Sequence, residues 1–159
     1  NLILGEKKRN RMILRYSTEL TDDFAKLNAL LDDEYYERFG EIALKYRPYN
    51  SLEDVHHFVL AYEENACVGC GCIKEYSEDT AEIKRIFVLK RYRRQGIADQ
   101  IVACCEERAK ESGYRYMVLE TGAEMPEAIA LYQKKGYEFV ENYGQFEGDT
   151  VCVCMKKAL

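Results

Sequence analysis

The 159-residue chain carries 23 Lys and Arg against 28 Asp and Glu, a formal net charge of −5, with 47% hydrophobic and 32% charged residues. That length is enough for one domain with its own core, and the negative charge argues against nucleic acid, whose phosphates need a basic face. No apolar run is long enough to span a bilayer, and Leu2-Ile3-Leu4 is too short for a signal-peptide core.

The expectation is a single cytoplasmic domain over residues 1–159, with 1–10 as an N-terminal extension. A first strand is expected over Arg11 to Tyr16. A helix follows over Leu20 to Phe39, started at Thr21-Asp22 and striped by Phe24, Leu27 and Leu31. Gly40 breaks it before a short helix, Glu41 to Tyr46, and Arg47 to Ser51 is a turn-rich connector. The acidic Asp22-Asp23 and Asp32-Asp33-Glu34 read as solvated helix faces. His57 to Glu63 and Val68 to Tyr76 pair as a hairpin at Glu64-Asn65, and Thr80 to Val88 is the next strand. His56 and His57 read as a strand entry rather than a catalytic pair.

Seven cysteines invite a zinc site at Cys67-x-x-Cys70-x-Cys72 and Cys152-x-Cys154. Cys70 and Cys72 alternate along one strand, and Cys152 and Cys154 along another. Cysteines at that period read as small buried hydrophobes, so free thiols and no metal are expected.

Gly96 to Glu111 is helical, with Ile97, Ile101, Cys105 and Ala109 on one stripe and a stop at Ser112-Gly113. Tyr116 to Thr121 is a strand, Pro126 opens a helix that Gly136 ends, and Tyr137 to Tyr143 and Thr150 to Lys156 close as strands. The loop Arg93-Arg94-Gln95-Gly96-Ile97-Ala98 joins a strand to a helix N-terminus. First-turn amides there have no intrahelical partners, and the helix dipole favours an anion. Gly96 lets a ligand approach the backbone, and Arg93 and Arg94 add positive charge. The ligand expected is a phosphate.

Arg93-x-x-Gly96-x-Ala98 resembles the pyrophosphate-loop pattern of the GNAT superfamily of N-acetyltransferases. Glu127-Ala-Ile-Ala-Leu-Tyr132-Gln-Lys-Lys-Gly136-Tyr137 resembles that superfamily's second motif, in the right order and one helix and one strand downstream. The resemblance runs from about Val55 to Tyr143. It implies a mixed α/β acyl-CoA N-acyltransferase fold, a mostly antiparallel central sheet flanked by helices. Two strands, here Thr80–Val88 and Tyr116–Thr121, splay apart around the pantetheine arm of acetyl-CoA. It also implies that Ile86, Phe87 and Val88 offer backbone groups to that arm, with Gln95, Ile97, Ala98, Thr121 and Ala128 among the cofactor contacts. The family often has Asn at the position of Met125, so that polar contact to the arm is either missing here or supplied by Thr121 or backbone.

Acetyl transfer to an amine poses two proton problems. An alkyl ammonium with pKa ~10.4 is nearly all protonated at neutral pH, and the departing thiolate needs a proton. Tyr132, in the Leu-Tyr position that the family points at the cofactor sulfur, is the expected acid. Glu82, fourteen positions before Gly96, matches the glutamate base of histone-type members, acting directly or through water, and Glu120 is its rival. Lys84, Arg85 and Arg47 are candidates to hold a substrate carboxylate, whereas the acidic helix would suit a polyamine, and the two point in opposite directions. The expected activity is N-acetylation of a small amine or amino acid by a monomer or homodimer. The alternatives are a protein N-terminal or lysine acetyltransferase, and a silent acyl-CoA-binding sensor.

Overall fold

A computed structural model describes residues 12–159. Arg11 and the extension 1–10 lie outside the described residues. The elements are β1 (Met12–Ser17), α1 (Asp22–Phe39), α2 (Glu41–Tyr46), a 3₁₀ turn (Arg47–Asn50), β2 (His57–Glu63), β3 (Ala66–Ser77), β4 (Thr80–Val88), α3 (Ile97–Glu111), β5 (Tyr116–Gly122), α4 (Pro126–Lys134), β6 (Glu138–Val140) and β7 (Cys152–Ala158). The strands form one seven-stranded sheet in the order β1-β2-β3-β4-β5-β7-β6. Every pairing is antiparallel except β4 with β5.

Both faces of the sheet are covered, and alternation along β2 shows how. Phe58, Leu60 and Tyr62 join Phe24, Leu27 and Leu31 of α1, whereas Val59 and Ala61 join Ile97, Ile101 and Cys105 of α3. Successive side chains of a strand point to opposite faces, so a near-continuous apolar run is what a two-sided strand requires. Thr21 caps α1 by accepting from the Phe24 amide at 3.2 Å. On the α3 face, a Cβ at Gly69 or Gly71 would sit 2.8 Å from the Ile101 side chain, so glycine is what lets α3 lie close to β3. Cys70, Cys72, Cys105, Cys152 and Cys154 are buried, Cys67 and Cys104 partly so, and all are free thiols.

Two irregularities place the functional region. β4 and β5 pair only at Thr80–Tyr116, Ala81–Met117 and Glu82–Val118, and beyond Glu82 they part. The β3–β4 register also shifts, with Cys70 opposite Phe87 but Cys72 opposite Lys84. The extra residue on β4 is accommodated by Arg85 at φ 59°. Regular alternation would send Arg85 into the apolar α3 layer with Ile83. The bulge turns it toward α1 instead, and Glu82 and Lys84 keep a shared face below it.

Three expectations need correction. The strand expected over Tyr137–Tyr143 is only Glu138–Val140. Tyr137 is still tied to the helix end, its amide donating to the Tyr132 carbonyl, and Asn142 Nδ2 bonds the Asp149 and Cys152 carbonyls inside an irregular loop. The last strand starts at Cys152 rather than Thr150, because Asp149 Oδ1 accepts from the Val151 amide in a turn. The acidic residues of α1 are not simply solvated. Asp23 accepts from the Tyr62 hydroxyl, Asp32 pairs with Arg85 and Glu34 with Arg93.

Candidate active site

The Arg93 amide donates to the Lys90 carbonyl, and the amides that follow it are open. Among the described residues, no backbone N–H from Arg94 to Asp99 donates to a protein acceptor, and Gly96 caps α3 at φ 81°. A Cβ at Gly96 would meet nothing within 4 Å. The glycine is therefore set by its left-handed backbone and by room for a visitor, not by protein packing. Arg93 is a brace: its Nε donates to the Val88 carbonyl at 2.8 Å and its terminal nitrogen to Glu34 at 2.9 Å. Arg94, at φ 61°, is exposed and has no partner among the described residues. Gln95 is exposed, Ile97 is buried under the loop and Ala98 is half-buried.

Where β4 and β5 part, a cavity of about 350 Å³ opens between the sheet and the N-terminal helices. Its floor carries Glu82 and Lys84 from β4 and Glu120 and Thr121 from β5, and Tyr35, Phe39 and Tyr46 form the wall above. Burial pushes the Tyr35 phenol up to about 12, with Arg85 opposing. Ile86 packs toward α3 and Phe87 toward α1, so the stretch Ile86–Val88 runs along the unpaired edge of β4. The Val88 carbonyl on that stretch is already taken by Arg93.

The two candidate bases differ in surroundings. Glu82 is 7% exposed and held from both sides, by the Tyr143 hydroxyl at 2.5 Å and Lys84 Nζ at 3.1 Å. Glu120 has no cation within ion-pair distance among the described residues. Burial pushes its carboxyl up to about 7; Lys84 pulls it down, the nearby Glu82 charge pushes it up, and a hydrogen bond with the Cys152 thiol lowers it. A carboxyl titrating near neutrality is poised to take and release a proton, whereas both oxygens of Glu82 are already engaged by Lys84 and Tyr143.

Tyr132 lies on α4, 7% exposed, with its ring edge-on to Tyr137 at 5.5 Å. Burial holds its phenol well above the ordinary value, so it stays protonated. Its hydroxyl has no hydrogen-bond partner among the described residues. Ala128 is half-buried against the same core. Met125 stands at the cap of α4, where its sulfur accepts weakly from Thr121 Oγ1 at 3.8 Å. Arg85 is not free to serve a substrate: Nε donates to Asn28 Oδ1 at 2.6 Å and a terminal nitrogen to Asp32 at 2.5 Å.

The Acetyltransferase (GNAT) family model matches residues 24–137, spanning both the open-amide loop and the Tyr132 helix. The chain belongs to the GNAT acetyltransferase family. It is 33% identical over 104 residues to the uncharacterized N-acetyltransferase YsnE of Bacillus subtilis, covering 64% of this chain and 69% of that protein. It is 32% identical over 103 residues to the IAA acetyltransferase of Azospirillum brasilense, covering 64% of this chain and 67% of the relative. A GNAT family acetyltransferase of Elizabethkingia anophelis, crystallised with acetyl-CoA, superposes with a TM-score of 0.72 at 22% identity over 94% of this chain and 99% of that one. The mixed α/β fold and the parting of β4 from β5 agree with the GNAT expectation.

Sequence reasoning missed Tyr143 and Cys152, the groups that distinguish the two glutamates of this GNAT protein. Tyr143 sits 61 residues from Glu82 on an irregular loop and is one of 13 tyrosines, so no local pattern marks it. Cys152 was legible only as a buried strand thiol.

Proposed function

We propose that the chain transfers an acetyl group from acetyl-CoA to the amine of a small molecule or amino acid by direct attack of the amine. One observation carries this reading: open amides of a helix N-terminus and a cavity holding a near-neutral carboxyl lie along the same parted pair of strands. The residues present suit acetyl-CoA. The amides from Arg94 to Asp99 would hold the diphosphate, with Gly96 leaving space for it and Arg94 adding charge. The open edge of β4 over Ile86–Val88 offers backbone groups to the arm, with Thr121 and Ala128 flanking. When bound, acetyl-CoA supplies an acyl thioester whose carbonyl an amine can attack.

The chain's own part is to manage protons. We assign the base to Glu120 rather than Glu82. Ionised above about pH 7, Glu120 takes the proton that the acceptor ammonium must lose. Glu82 is a positioning residue: with Lys84 and Tyr143 it fixes the cavity floor and keeps a negative charge near Glu120. Tyr132, protonated and with a free hydroxyl, donates to the departing sulfur. A cavity of about 350 Å³ matches an acceptor of amino-acid size.

The test is thiol release from acetyl-CoA in the presence of an amine panel, with acetylated products identified by mass spectrometry. Amine-dependent release supports the reading. Tight acetyl-CoA binding without release for any small amine or peptide would favour a silent sensor.

A further inference from the structure

We infer that the acceptor is a small apolar amino acid or similar amino-carboxylate, its amine at Glu120 and its carboxylate at Arg47. The inference rests on the acetyltransferase reading and names the substrate class of that same cavity.

The argument is which charges in the cavity are already answered. Lys84 is paired with Glu82, and Arg85 with Asp32 and Asn28. A side chain held at ion-pair distance in a buried setting is costly to pull away, because its partner would be left as an unpaired charge. That removes two of the three basic residues lining the cavity. Arg47, on the turn that follows α2, also lines it and has no hydrogen-bond or ion-pair partner among the described residues. Asp33 and Glu37, in the shallow cleft on its other side, do not reach ion-pair distance. On the anionic side, Glu82 and Asp32 are neutralised by the same pairs. Glu124 stands exposed at the rim beside the Arg38–Glu127 pair, and Glu120 is half-buried on the cavity floor with no cation at ion-pair distance among the described residues.

The cavity that Glu120 and Arg47 both line has an apolar wall. Phe39, Ala43 and Tyr46 line it, and Ile42 is 45% exposed there, a large apolar side chain left facing the cavity. An occupant that buries this wall gains hydrophobic contact, and its two ends meet the two unanswered charges. A polyamine would instead set an ammonium against Arg47. A guanidinium presents paired donors in a fixed fork that matches a carboxylate.

The experiment compares kcat/KM for leucine, methionine and phenylalanine with that for their amides, for phenethylamine and for spermidine, using wild type, Arg47→Ala and Arg47→Lys. The free amino acids are expected to exceed their amides by about tenfold or more, the scale of losing one charged hydrogen bond. Arg47→Ala should raise KM for the acids by a similar factor and leave the amides unchanged, and Arg47→Lys should recover part of the loss. Amides, phenethylamine or spermidine matching the acids would overturn the inference, as would an Arg47→Ala loss common to all acceptors. Acetylation of peptide N-termini alone, with the same calorimetric affinity for acetyl-CoA, overturns it while acetyl transfer stands. Absence of acetyl-CoA binding to wild type would defeat the acetyltransferase reading itself.

Discussion

The Tyr143 hydroxyl donates to Glu82 at 2.5 Å across 61 residues of sequence, on the face of Glu82 opposite Lys84. Both oxygens of the carboxylate are thereby engaged, and burial together with the Glu82 charge holds the Tyr143 phenol well above its ordinary value. Glu82 is the residue that the family resemblance marks as the base, whereas Glu120, one strand over, has no cation at ion-pair distance among the described residues and burial pushes its carboxyl up to about 7.

Glu120→Gln should therefore lower kcat/KM at pH 8 by about 10²- to 10⁴-fold, the usual range for a general base. In wild type the rate should fall as pH drops through about 7, where the carboxyl takes up a proton and can no longer accept one from the amine. The variant should lose that acidic limb. A pH–rate profile for both proteins checks this, and a wild-type profile retained in Glu120→Gln returns the role to Glu82 or to water.

The same shift has a stability consequence. The folded-state value of about 7 lies above the ~4.3 of a free glutamate, so the folded protein binds this proton more tightly than the unfolded chain. The stability linked to it is complete below the unfolded value and is lost as pH rises through about 7. Glu120→Gln, which has no charge to bury, should melt higher than wild type at pH 8, and the gap should close toward pH 5. Thermal melts at the two pH values measure it.

Tyr143→Phe should destabilise the fold by about 1–3 kcal/mol, because a buried carboxylate loses one of its two partners. Urea unfolding gives the number. The catalytic pH profile should move less than in Glu120→Gln, since Tyr143 reaches the acceptor side only through Glu82.

Gly96→Glu should abolish acetyl-CoA binding, placing bulk and negative charge where the diphosphate would meet the open amides. Nothing in the fold lies within 4 Å of a Cβ there, so the loss should come without collapse, beyond the ~1–2 kcal/mol of a non-glycine residue at φ 81°. Calorimetry and a thermal melt separate the two effects.

Tyr132→Phe should lower kcat by about ten- to a thousandfold with nearly unchanged acetyl-CoA affinity, because it removes one proton donor and almost no volume. The ring would keep its edge-on contact with Tyr137. Unchanged turnover would make Tyr132 a packing residue.

Much of this protein is written locally. Short, near-continuous apolar runs mark β2 to β5, the 3.6-residue stripes fix which faces of α1 and α3 are buried, and Thr21 and Gly96 mark helix starts through capping and left-handed backbone. The open-amide loop was legible because its chemistry depends on its own backbone, while the Tyr132 helix was marked only by its resemblance to the family's second motif. What tertiary structure alone decided is how charges are distributed among partners far apart in the chain. The bulge at Arg85 turned a candidate substrate ligand toward Asp32, the irregular loop after β6 brought Tyr143 to Glu82, and burial between β4 and β7 raised Glu120. A carboxylate's proton affinity is set by solvent exclusion and by neighbours within a few ångströms, and neither is a property of adjacent residues.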